Sequence, residues 1–306
     1  MSKFYANPYR YVIPAGVPTA RYWRHVILAR PYEITTADIA EIEFYETVGG
    51  ANIATGKSYS ASEGTASAAF DGSTVTQWAP SKSNLPGKWI TVDFGTPVLP
   101  AQVGLRAFST IGARTGTVYC LQASDDNSNW TSVCILEYGV FGNEELKKLP
   151  VVRQDMTNVE SNARAWRVYI TDIVTPANNE TSVNEITFHP TFGGSALGAQ
   201  ADFAWAAKSH EGAGASGRAA QAFDANTGTA SIQNEGSLLP VHWGFARAAP
   251  VGVMEECQIN PAGAAGEKIT EMSVQWSVDG VNWNTKKSFS GVGSWTNGTF
   301  KSFDLR

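Results

Sequence analysis

The sequence predicts an all-β chain: two β-sandwiches in tandem behind an extended N-terminal arm. Three observations carry this. The chain of 306 residues repeats itself once, at the scale of a whole domain. Its apolar residues fall in short runs rich in β-branched and aromatic side chains, bounded by turn-forming clusters. Convincing helical windows are scarce, and residues 216–223 make one or two turns at most.

The elements follow in chain order. Residues 1–19 interleave Phe4, Tyr5, Tyr9 and Tyr11 with Pro8, Pro14 and Pro18, a pattern that no central strand accepts. Such an arm either packs onto a partner or straps its own domain. Residues 23–28 and 39–44 then read as a strand pair. Further strands are read at 89–94, 117–122 and 166–171. Turns are read at 84–87, 125–129 and 278–282, each rich in Asn, Asp or Gly.

The repeat is explicit in the residues. Arg21-Tyr-Trp23-Arg24 returns as Arg164-Ala-Trp166-Arg167, and Glu41-Ile42 returns as Glu185-Ile186. Gly49-Gly50 returns as Gly193-Gly194, and Ala69-Phe70-Asp71 as Ala222-Phe223-Asp224. The stretch from Leu121 to Trp130 returns from Val274 to Trp283. Order is kept throughout. The spacing lengthens between Gly194 and Phe223, so the second copy carries an insertion around Trp205, His210 and a Gly-rich stretch.

Composition bounds the function. Hydrophobic residues make up 43% and charged residues 17%, which excludes wholesale disorder. A net charge of −5 argues against nucleic acid as a partner. No apolar run approaches the ~18 residues of a membrane span, so no insertion is expected. The first residues lack the apolar core of a secretory signal. Three cysteines do not make a disulfide scaffold. Cys120 and Cys134 flank one hairpin turn; packed thiols are expected there, with a cross-hairpin disulfide as the alternative.

One set of motifs opens with Ala69-Phe70-Asp71-Gly72 with Thr76 and Trp78, then Trp89-Ile-Thr-Val-Asp93-Phe94-Gly95. Leu121-Gln-Ala-Ser124-Asp125-Asp126 with Trp130 follows, and Ala165-Trp166-Arg167 with Glu185-Ile186 closes the set. These motifs resemble the discoidin, or coagulation-factor type C, domain. The resemblance implies galactose-binding-like jelly rolls and covers residues 20–306, twice over. The second copy departs from the pattern: Ser231 stands for Trp78, Gly244 for Asp93, and Ala225 for Gly72. Tandem copies with an Ala20-Arg-Tyr-Trp-Arg24 start also look like those of bacteriophage tail and other virion proteins.

In the family order, the Trp-Arg and Glu-Ile strands come last. The expected division is therefore an arm at 1–19, a first sandwich at 47–190 and a second at 191–306. The spare pair at 20–46 is expected to complete the second sandwich, in cis or by exchange with another subunit. The rival is that each copy is self-contained and permuted.

Site expectations follow from the same residues. The resemblance implies a structural Ca²⁺ on Asp71, Ser73 and Thr76, closed by Glu185, since hard oxygen ligands suit that ion. In the second copy the counterparts are Asp224 and Thr229 with Glu41. The alternative is that each aspartate caps its own turn. Loop aromatics with flanking polar groups suit stacking on sugars. The glycan candidates are Arg106, Phe108, Arg114, Lys82 and Asn84 in the first copy, and Trp205, His210 and Trp295 in the second. Ordinary loop or protein contacts are the alternative reading for them. No nucleophile elbow, phosphate loop or metal-ligand histidine spacing is present. No catalytic residue is assigned, and the chain is read as non-enzymatic.

The functional expectation is a phage virion structural protein of tail, baseplate or capsid surface, assembled in the host cytoplasm. It docks on other virion proteins as part of an oligomeric assembly and carries a host-attachment role by binding surface glycan. The alternatives are an architectural adaptor without glycan binding and a non-viral carbohydrate-binding protein.

Overall fold

Alternation of inward apolar and outward polar side chains turns the short runs into strands. The computed structural model describes residues 16–30, 36–81, 86–109, 112–174, 180–206, 219–234, 239–262 and 268–306. Among these residues there are strands and short 3-10 turns and no α-helix. The chain is all-β, in antiparallel sheets, consistent with a discoidin jelly-roll sandwich.

The first eight strands are β1 (Ala20–Ala29), β2 (Ile39–Tyr45), β3 (Ser58–Ala61), β4 (Trp89–Val98), β5 (Gln102–Ala107), β6 (Val118–Ser124), β7 (Thr131–Glu137) and β8 (Leu146–Pro150). They form one sheet in the order β3-β4-β1-β6-β7 and another in the order β2-β5-β8. Trp23, Ile42, Phe44, Phe70, Trp78, Val92 and Leu121 fill the core between them.

The remaining strands are β9 (Ala165–Val174), β10 (Glu180–His189), β11 (Ala204–Ala206), β12 (Ser231–Asn234), β13 (Val241–Ala246), β14 (Glu256–Pro261), β15 (Lys268–Ser277), β16 (Asn284–Ser290) and β17 (Lys301–Asp304). Their larger sheet, β11-β13-β9-β15-β16, matches the first position by position. The other, β12-β10-β14-β17, matches β2-β5-β8 with one strand added. A separate core gathers Trp166, Ile186, Phe188, Phe223, Trp243 and Phe245.

The expected closure is overturned. Residues 20–46 do not complete the second sandwich. Trp23 of β1 lies in register with Val92 of β4 and Ala123 of β6, and Ile42 of β2 with Leu105 of β5. Trp166 of β9 pairs with Phe245 and Trp276, and Ile186 of β10 with Ile259. The sandwiches therefore run over 20–150 and 165–306, not 47–190 and 191–306. The physical reason lies in closure itself. A closed unit is indifferent to where the chain enters it, and pairing with the strands that follow keeps connections short. The family order had fixed the starting strand, and this chain begins the unit two strands earlier.

Register corrects one substitution as well. Arg24 faces Thr91, and Arg167 faces Gly244, so Gly244 is the counterpart of Thr91 and Ala246 that of Asp93. The missing Trp78 is compensated: Trp243 enters the second core from β13 and donates its indole N–H to Ser231 Oγ at 2.8 Å.

The outer faces of the two larger sheets meet. Val26, Leu28, Val118, Cys120 and Ile135 of the first sandwich pack with Ala165, Trp205 and Ala246 of the second. Arg247 donates to Glu137 at 3.1 Å, and Ser132 donates to Asp279 at 2.8 Å across the seam. Gly280 has φ +72° and lies so close that an added Cβ would sit 2.7 Å from Leu28 Cδ1. In register, the second sandwich places Tyr169, Ser273 and Ser288 where the first has Val26, Cys120 and Ile135. The first sandwich thus carries aliphatic side chains or a thiol at three positions where the second carries hydroxyls.

All three cysteines are free and buried. Cys120 pairs with Ile135 while Cys134 pairs with Leu121, which sends the two thiols to opposite faces. The end of the arm lies on its own sandwich: Val17 joins the first core and the Gly16 carbonyl accepts Arg153. Residues 1–15 lie outside the described residues.

Candidate functional site

Two equivalent acidic turns sit at the same place in the two sandwiches. In the first, a 3-10 turn at Ala66–Ala69 delivers Phe70 to the core and leaves Asp71 at the turn. Asp71 Oδ1 accepts the Ser73 amide at 2.9 Å, and Thr76 Oγ1 donates to Oδ2 at 2.8 Å. Glu41, from β2, is only 4% exposed. Its Oε1 accepts the Gly72 and Ser73 amides at 2.7 and 3.0 Å. In the second, Asp224 accepts Asn226 N–H at 2.9 Å and Thr229 Oγ1 at 2.9 Å. Glu185 Oε2 accepts the same Asn226 amide at 3.2 Å.

The expected carboxylate partners are therefore exchanged. Glu41 closes the Asp71 turn and Glu185 closes the Asp224 turn, because each sandwich is completed by its own leading strands. Ser73 contributes its amide to the aspartate, while its hydroxyl accepts Val75 N–H at 3.2 Å.

Burial, then the neighbouring Asp71, pushes the Glu41 carboxyl up to about 7. Burial and the charge of Asp224 push Glu185 up to about 8. A buried carboxylate facing a second one attracts a proton or a cation. Each turn offers two carboxylates and a threonine hydroxyl, three side-chain groups toward the roughly six to eight oxygens Ca²⁺ takes. Among the described residues no three His, Cys, Asp or Glu side chains come together as a metal cluster.

The loop after β5 forms a second feature, at one end of the first sandwich. Arg106 donates to the Glu144 carbonyl at 3.0 Å, and Glu144 N–H reaches the Phe108 carbonyl at 3.4 Å. Asn143 Oδ1 accepts Gly112 N–H at 2.7 Å. Arg106 and the half-buried Phe108 thus share one rim with Asn143 and Glu144. Arg114 turns away from it to buried Asp38, at 3.4 Å. Sequence reading missed Asp38, Asn143 and Glu144; only Asp38, directly before the apolar β2 run, had a local signal. Lys82, Asn84 and His210 lie outside the described residues.

Trp205 lies on β11 and Trp295 in the loop between β16 and β17, and both are buried. Trp205 is 1% exposed in the seam between the sandwiches and donates to His242 at 3.2 Å. Trp295 is 9% exposed, donates to the Ile269 carbonyl at 2.9 Å and packs in the second core. Each indole buries its ring while its N–H finds a partner, which removes both from sugar stacking. Two arginines are stacked instead: Arg24 over Trp130 at 4.0 Å and Arg167 over Trp283 at 4.1 Å. Burial lowers His25 and His242 to about 3, so both imidazoles are neutral near pH 7.

Residues 53–187 match the F5/8 type C domain. The discoidin match begins behind β2 and ends inside β10, so it spans strands of both sandwiches. Since β9 and β10 repeat β1 and β2, the match reads one domain's worth of strands in family order. No curated protein and no solved structure matches the chain.

Proposed function

We propose that the chain is a non-catalytic binding protein of two discoidin-type sandwiches, with a glycan held at the rim of the first. The observation that supports this most is the F5/8 type C match, joined to a second sandwich with the same strand order and acidic turn. At the rim, the Phe108 ring offers a face for the C–H side of a pyranose. The Arg106 guanidinium offers donors to ring hydroxyls or a carboxylate. The setting proposed is a virion, where the chain docks on neighbouring proteins and meets host surface glycan.

A glycan array probed with the chain and with Phe108→Ala tests this. Binding to a defined sugar set that the substitution abolishes, with melting unchanged, is the expected result. No binding by either protein favours an architectural adaptor. Detection of the chain in purified particles tests the virion setting.

Calcium belongs to the same proposal as a structural ion. Asp71, Glu41 and Thr76 would hold it in the first sandwich, and Asp224, Glu185 and Thr229 in the second. It would neutralise each acidic pair and supply no chemistry.

A further inference from the structure

The second sandwich has lost two side chains that the first uses to fill one place. In the first, Tyr59 stacks on Phe70 with ring centroids 4.3 Å apart. Its hydroxyl donates to the Ala54 carbonyl at 2.8 Å. Beside it, Asn52 Oδ1 accepts the Phe44 and Ala54 amides at 3.1 and 3.0 Å.

Register fixes the counterparts. Tyr59 pairs with Val92, which pairs with Trp23; Ala204 pairs with Phe245, which pairs with Trp166. Ala204 therefore stands for Tyr59. Ile53 N–H reaches the Phe44 carbonyl at 2.8 Å, and Leu197 N–H reaches the Phe188 carbonyl at 2.7 Å. Ala196 therefore stands for Asn52, and Gly198 for Ala54. Alanine has no acceptor, so the Phe188 and Gly198 amides lose the one that Asn52 supplies in the first copy.

A cavity of about 160 Å³ lies beside this place, walled by Phe188, Ala196, Gly198, Phe223 and Phe245, with Glu185 at its edge. Phe245 stands where Val92 does and returns part of the lost volume. Gln200 takes over one bond of the missing hydroxyl, donating to the Gly198 carbonyl at 2.6 Å. Among the described residues, the ring and the acceptor oxygen are not replaced.

We propose that this cavity binds a small aromatic molecule carrying an oxygen, such as a phenol. Its ring would take the place of the Tyr59 ring against Phe223, and its oxygen would accept the Phe188 amide. An apolar cavity of about 150 Å³ is large enough for benzene. The oxygen adds selectivity, since an amide left without an acceptor is unfavourable when desolvated. The inference depends on the equivalence of the two sandwiches and not on the glycan rim.

The test is titration of the full chain with phenol and with benzene, followed at the amide resonances of Phe188, Leu197 and Gly198. Phenol is expected to shift them saturably, with benzene at least threefold weaker. Ala204→Tyr should weaken phenol at least tenfold by restoring the ring. If that variant does not fold, Ala196→Asn serves instead and should remove the advantage of phenol over benzene. The inference is overturned if phenol leaves these amides unmoved, or binds the folded variant as tightly as the parent. Binding of a tyrosyl peptide without phenol binding would also overturn it, assigning the cavity to a protein partner.

Discussion

Trp205 lies across Gly244: a Cβ added at Gly244 would sit 2.4 Å from Trp205 Cζ2 and 2.6 Å from the Trp166 carbonyl. The glycine is what lets a large ring lie on the sheet and fill the seam between the sandwiches. Gly244→Ala should therefore destabilise the chain by about 1–3 kcal/mol, the range for overpacking a filled site. Denaturant unfolding measures it, and a loss below about 0.5 kcal/mol would show that the seam yields freely.

Trp78 is fully buried and donates its indole N–H to the Glu63 carbonyl at 2.7 Å. Trp78→Ala should cost about 3–5 kcal/mol, the range for deleting a large core aromatic. A loss under about 1 kcal/mol in the same unfolding measurement would show that the ring contributes little to the first core.

The glutamates give a pH dependence of definite sign. With the folded carboxyl of Glu41 raised from 4.5 to about 7, the folded state keeps a proton that the unfolded chain has released. Its contribution to stability is complete below about 4.5 and is lost as pH rises to about 7. For Glu185 the loss extends to about 8. In chelator, melting temperature should fall across this window. Glu41→Gln should reduce the slope between about 4.5 and 7, where both glutamates contribute, and leave the part between about 7 and 8 that Glu185 carries alone. An unchanged slope in both Glu41→Gln and Glu185→Gln would contradict the assignment.

Calcium in excess should raise the melting temperature at pH 7.5, since an ion held only by the folded state stabilises it. The rise should shrink in Asp71→Ala. Superimposed melting curves in calcium and chelator would leave the proton as the partner of the acidic pairs.

The repeat was legible because Trp23 and Trp166, Glu41 and Glu185, Phe70 and Phe223 occupy equivalent core and turn positions whose chemistry the fold demands twice. Equivalence does not show adjacency, so the sequence could not say which strand closes which sandwich. That one gap exchanged the carboxylate partners of Asp71 and Asp224. Trp205 read as a loop residue because an insertion follows it, while the Gly244 that receives it lies far along the chain. The losses at Ala196 and Ala204 carry no motif and become visible only when register aligns the two copies.

The central claim is that each sandwich is closed by its own leading strands, since the pairing of both acidic turns and the reading of the cavity rest on it. Cross-strand backbone contacts of Trp23 in solution test it most directly, by nuclear Overhauser effects on the full chain. The account predicts contacts to Val92 and Ala123, with Trp166 contacting Phe245 and Trp276. Contacts of Trp23 to Phe245 and Trp276, with Trp166 against Val92 and Ala123, would contradict it.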